Sequence, residues 1–158
     1  MELNMGLDMY LYGDKSVSSQ WEKDPVMEDG FVLGSKILDM GYWRKHANLH
    51  GFIVDTFAGG EDECQKIHLS EEDLHNIIVA LENDALYDGA VNGFFFGRSY
   101  FPGEKDEYGS YEEQKAKDID IFTRALEWLR KAAPASGEFG TDSYKSPEWR
   151  SVYYQASW

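Results

Sequence analysis

Met5-Gly6-Leu7-Asp8-Met9-Tyr10-Leu11-Tyr12 places an apolar side chain at every second position. Successive side chains of an extended chain point to opposite sides, so period two predicts a strand with one apolar face. Gly13, Asp14 and the polar run through Ser19 are expected to end it. Residues 14–30, with Lys15, Ser16, Ser18, Ser19, Asp24, Pro25 and Gly30, read as a loop, with a short strand or helix near Ile37. The other end of the chain, Trp149 to Trp158, also reads as a strand, and the two terminal strands can pair.

Between these ends the period changes. Trp43, Ala47, His50, Val54 and Phe57 follow helical spacing and predict a first helix over Tyr42 to Phe57, stopped by Gly59-Gly60. Ser70 with Asp73 has the spacing of a capping box, and Leu74, Ile77, Ile78 and Leu81 then form one stripe of a second helix ending at Asn83-Asp84. Asn92-Gly93 before Phe94, Phe95 and Phe96 reads as a turn within a strand region. Ser110 with Glu113 opens a third helix, whose core face is Ile119, Phe122, Ala125, Leu126 and Leu129; Lys115, Lys117, Asp118 and Glu127 fall largely off that face, and Pro134 ends it. The order β-α-α-β-α-β predicts an α+β fold, an antiparallel sheet with about three helices packed on it.

A chain of 158 residues is expected to form a single domain, 1–158. With 10 Tyr, 9 Phe and 5 Trp it has ample ring area for a core and for stacking on flat ligands. The 29 acidic and 15 basic side chains leave a net charge of −14. That field opposes nucleic-acid polymers and anionic membranes, though it permits a local basic pocket. The single cysteine, Cys64, excludes an intramolecular disulfide and fits a reducing cytoplasm. Met1 to Tyr12 lacks the basic and apolar regions of a signal peptide, and no run of residues has the length and apolarity of a membrane span.

The runs Met5-Gly6-Leu7-Asp8-Met9-Tyr10-Leu11, Gly41-Tyr42-Trp43-Arg44-Lys45 with Asn48, His50 and Phe52, Asp62-Glu63-Cys64, Gly93-Phe94-Phe95-Phe96-Gly97 and Tyr153-Tyr154-Gln155-Ala156-Ser157-Trp158 are spread over nearly the whole chain. Together they resemble a family of small, functionally unassigned proteins encoded by bacteriophages and prophages. The resemblance implies an origin and a fold, not a reaction. The family pattern has a small residue after the Tyr-Trp-Arg-Lys run where this chain has His46, so no mechanism through His46 follows from it.

Trp43-Arg44-Lys45-His46 is the strongest local departure from the acidity of the chain. A guanidinium fork suits a carboxylate or phosphate, and an indole can stack or pack inward. His46 and His50 share a helix face at i, i+4, the spacing of a helical metal site, but the intervening Glu of a zinc hydrolase is absent. The alternative for His50 is a hydrogen-bonded, partly buried imidazole. Cys64 with His50 or His68 is a formal thiol–imidazole pair, against the ordinary role of a buried cysteine as a small hydrophobe. Phe94 and Phe96 share one face of a strand with Arg98, leaving Phe95 on the other. Of the acidic pairs, Glu71-Glu72 and Glu112-Glu113 fall in first helical turns, where carboxylates stabilise the helix terminus; Asp62-Glu63 is the third such pair. No nucleotide-binding fingerprint, nucleophile elbow or zinc-finger spacing occurs, and no cofactor is expected.

The expectation is therefore a non-enzymatic, phage- or prophage-encoded binding protein of the bacterial cytoplasm. Its ligand would be a small anionic, nucleotide-like molecule, sequestered to counter host defence. Tyr42 or Trp43 would stack, Arg44, Lys45 and Arg98 would meet the anion, and His50 and Phe95 would complete the wall. The alternatives are an acidic interaction module that inhibits a host protein, and a small enzyme using a His/Cys pair. With one cysteine and no zinc-finger spacing, the melting temperature should be unchanged by chelator plus reductant; a drop of many degrees with chelator alone would mean that a metal holds the fold.

Overall fold

Leu7, Met9 and Leu11 are fully buried, and their alternation builds the central strand of the protein. A computed structural model describes residues 6–87, 105–106 and 109–158. Strand β1 (Asp8–Ser16) is followed by a small hairpin of β2 (Met27–Glu28) and β3 (Phe31–Val32), then by the long β4 (Ser35–Arg44). Helix α1 (Ala47–Phe57), β5 (Ile67–Leu69) and α2 (Glu71–Glu82) come next. A second small hairpin of β6 (Lys105–Asp106) and β7 (Gly109–Ser110) leads into α3 (Tyr111–Arg130), and β8 (Arg150–Ser157) closes the chain.

The main sheet has four strands in the order β4-β1-β8-β5, and every pairing in it is antiparallel. The fold is α+β, and the terminal strands pair as their sequences predict, with Leu11 opposite Tyr154 and Met9 opposite Ala156. Among the described residues the helices pack on one face of the sheet. The inner row Trp43, Met9 and Ala156 runs across three strands and joins Phe122, Leu126, Leu74, Ile77 and Leu81 in one core.

Both predicted capping serines are in place. Ser70 accepts from the Asp73 N–H and Asp73 reciprocates, while Ser110 accepts from Glu113. The first helix ends as expected, with Gly59 and Gly60 at φ of 62° and 83°. Its beginning does not match. Residues 42–44 are strand and the helix starts at Ala47. Three residues are too few to separate period two from period 3.6, and here sheet pairing decides: Arg44 lies opposite Asp8 and Trp43 opposite Met9. Lys45, at φ 57°, makes the corner between strand and helix, and its N–H bonds the Leu7 carbonyl.

Two further expectations are corrected. Gly13 does not stop β1, which continues to Ser16; it makes room for the Met40 side chain and for the Trp128 ring, 3.1 Å from where a Cβ would sit. The loop expected over 14–30 includes the end of β1 and the short strand β2, and the short strand or helix expected near Ile37 is part of β4. The Asn92-Gly93 turn and the Phe94–Phe96 strand lie outside the described residues. Phe122 is fully buried at the centre of the helix face. Phe122→Ala should therefore cost about 3–5 kcal/mol, the range for deleting a buried ring; urea unfolding with an unchanged midpoint would show that this ring does not hold the layers together.

Candidate functional site

The strand character of β4 separates residues that a helix would have spread around its axis. Trp43 faces inward and is 2% exposed. Its ring stacks on Phe122 with centroids 5.5 Å apart, and its indole N–H donates to Asp118 Oδ1 at 2.7 Å. Gly41 exists for this ring: a Cβ there would lie 2.8 Å from Trp43 Cη2 and 2.9 Å from Ile121 Cγ2. Trp43 is therefore a core residue with no face to offer a ligand.

Asp118 corrects the reading of α3. It is fully buried and takes Trp43 and Gln114 on one oxygen and His46 Nε2 on the other, each at 2.7 Å. A buried carboxylate is tolerable only when satisfied in this way. The sequence signal was present: Asp118 is four residues before Phe122 and seven after Tyr111, on the same face as both.

His50 sits beneath the inner face of the sheet and is 2% exposed. Nδ1 lies 2.6 Å from the Tyr154 hydroxyl and Nε2 lies 2.8 Å from Asp62 Oδ2. The Trp158 indole N–H donates to the other Asp62 oxygen at 3.2 Å. Burial pushes the Tyr154 phenol well above its ordinary pKa, so it stays protonated and can donate to Nδ1, leaving Nε2–H to donate to Asp62. Both ring nitrogens are thus engaged by groups other than the Cys64 thiol. Cys64 itself accepts from Gln155 through its carbonyl, at 3.1 Å, while His68 stands on the other face of the sheet against Tyr153. His46 and His50 each hold a different carboxylate. Among the described residues no group of three or more His, Cys, Asp and Glu is placed to hold a metal ion, and no helix is long and apolar enough to cross a membrane.

Tyr42 and Arg44 lie on the opposite, outer face. Tyr42, 49% exposed, is pinned by donating its hydroxyl to Asp8 Oδ1 at 2.7 Å. That hydrogen bond, ahead of burial, raises its pKa and keeps the phenol uncharged. The Tyr42 ring continues into a row of tyrosines: Tyr10 at 5.3 Å, Tyr12 stacked on Tyr10 at 5.7 Å, and Tyr153 at 5.2 Å from Tyr12. Arg44 and Lys45 lie together near this end of the row, and Lys117 reaches the main chain of Tyr42. Arg44 Nε is 3.9 Å from Asp8 Oδ1. A Cβ on Gly6 would lie 3.0 Å from Lys45 Cε and 3.5 Å from Arg44 Nε, so these two side chains fold over the same glycine. Lys117 of α3 bonds the Tyr42 carbonyl at 3.4 Å. Beside them, Tyr10, Asp39, Met40, Gly41 and Tyr42 line an open cleft of about 350 Å³.

Of the residues singled out in the sequence, Tyr42, Arg44 and Lys45 are thus brought together. Trp43 and His50 are separated from them by the sheet, and Phe95 and Arg98 lie outside the described residues. Lys117, Asp39 and Tyr10 join through tertiary structure alone. No family model, curated protein or solved structure matches the chain.

Removing the buried acceptor while its donors remain should be costly. Asp118→Ala is expected to lose about 3–5 kcal/mol, as for breaking a buried charged pair, whereas the exposed Arg44→Ala should stay within about 0.5 kcal/mol. Equal unfolding midpoints for the two variants in urea would contradict this division between structural and surface residues.

Proposed function

We propose that the protein is a non-enzymatic binding protein for a small, flat, anionic ligand of nucleotide type, held on the outer face of the sheet at the β4 edge. One observation carries this reading: in a chain of net charge −14, Arg44 and Lys45 fold together over Gly6 next to the half-exposed Tyr42, and Lys117 bonds the Tyr42 carbonyl. Among the described residues, Lys15, Lys23, Lys115, Arg124, Arg130 and Arg150 lie against carboxylates elsewhere on the protein, and Arg44 itself stands 3.9 Å from Asp8. Tyr42 supplies a ring held in place by Asp8, so stacking costs little further ordering. Arg44 and Lys45 supply the charge-assisted contacts. The place of action is the cytoplasm of the bacterial host, from the resemblance to phage and prophage proteins, and the use is sequestration of a nucleotide signal during infection, from that origin together with the chemistry of the site.

A second reading, an acidic module that docks on and inhibits a host protein, is favoured by the exposure of Trp21, Phe31, Phe139 and Trp149 at 70, 77, 85 and 70%. Large exposed rings are characteristic of protein contact surfaces. Calorimetry with mono-, di- and cyclic nucleotides separates the two. Binding should weaken more than about tenfold in Arg44→Ala, the loss expected for a charge-assisted hydrogen bond, and little in a distant lysine variant such as Lys131→Ala. If no nucleotide binds at millimolar concentration, the ligand-binding reading fails and the interaction module replaces it.

A further inference from the structure

The pairing of β1 with β4 slips between Leu11 and Tyr12: Gly41 lies opposite Leu11 and Asp39 opposite Tyr12, which leaves Met40 as the extra residue of a bulge. Bulges re-aim side chains and open the surface beside them. Here Met40 packs toward Gly13, and Tyr10, Asp39, Met40, Gly41 and Tyr42 line a cleft at this part of β4. Asp39 is exposed. Among the described residues no Lys, Arg or His forms an ion pair with it. Its charge acts on its neighbour instead: the Tyr12 phenol is pushed upward first by burial and then by Asp39. Along β4 the outer face therefore reads carboxylate at Asp39, ring at Tyr42 and guanidinium at Arg44.

A ligand stacked on Tyr42 with its anionic tail toward Arg44 presents the far edge of its ring to Asp39. An ionised carboxylate only accepts hydrogen bonds, and it accepts best from two donors side by side. Guanine offers that pair, its N1–H and its 2-amino group. Adenine presents a ring-nitrogen lone pair beside its amino group, cytosine does the same, and uracil flanks its N3–H with two carbonyl oxygens. Each of those aims a lone pair at the carboxylate, and a mismatched polar contact removes affinity. We propose that Asp39 reads the base and makes the site selective for guanine nucleotides, an inference that rests on the ligand-binding reading above.

The test is calorimetry with GMP, IMP and AMP on the wild-type protein, Asp39→Asn and Arg44→Ala. GMP should bind the wild type at least about tenfold more tightly than AMP, with IMP, which lacks the 2-amino group, between them. In Asp39→Asn the side chain becomes one acceptor and one donor, the pattern that matches adenine, so the order of GMP and AMP should reverse. Arg44→Ala should weaken all three without changing their ratio. Because Asp39 is exposed, the Asn variant should melt with the wild type, which separates loss of recognition from loss of fold. Equal affinity for GMP and AMP, or a guanine preference that survives in Asp39→Asn, overturns the role of Asp39 while leaving the binding reading intact. Absence of binding by all three overturns the role of Asp39, and absence across the mono-, di- and cyclic nucleotides overturns the binding reading as well.

Discussion

β1 is hydrogen-bonded on both edges, to β4 on one side and β8 on the other. Because side chains alternate, its register dictates which face each neighbouring residue takes, and a slip of one residue would exchange the faces. Met9 commits Trp43 and Ala156 to the core, and Tyr10 commits Tyr42 to the outside. The bulge at Met40 is the controlled exception. It lets β4 follow β1 for its full length while setting Asp39 opposite Tyr12 on the outer face.

Two buried polar networks hold the helices against this sheet. Asp118 joins α3 to β4 and to the His46 corner. The Tyr154, His50 and Asp62 series joins β8 to α1 and to the loop before β5. Buried polar groups add specificity of arrangement only when satisfied, and removing one member leaves the others exposed to the full cost of desolvation. The histidines, which the sequence offered as metal ligands or catalytic bases, are in this arrangement fastenings. The burial of His46 and His50 keeps them from the surface that carries Tyr42 and Arg44.

The outer face works under an opposite constraint. The long-range field of the chain repels anions, so the proposed recognition would depend on contacts made at close range, where a direct contact outweighs a screened distant charge. Tyr42 is the point at which the two ends of the surface meet. Asp8 orients its ring, Arg44 and Lys45 lie toward one end of it and Asp39 toward the other. A residue on the surface can serve recognition because it is not committed to holding the fold, and the proposed site uses this division between the faces of β4.

Much of the local architecture was legible in the sequence. The capping pairs Ser70–Asp73 and Ser110–Glu113, the apolar stripes of α2 and α3, the glycines after α1 and the alternation of β1 depend on residues within a turn or two of each other, and short-range geometry is the same in any protein. The cluster at Tyr42, Arg44 and Lys45 was legible too, as a basic run in an acidic chain. What the sequence left open is what pairing over distance decides. Trp43 lies 75 residues from Asp118 and His50 lies 104 residues from Tyr154; no periodicity links them. Residues 42–44 satisfied both a helical and an extended pattern, and only hydrogen bonding to β1 chose between them. Local chemistry determined the elements and the residues with something to offer a ligand. Strand register alone decided which of those residues share a surface, because the face of a side chain is set by its partner strand and not by its neighbours in the chain.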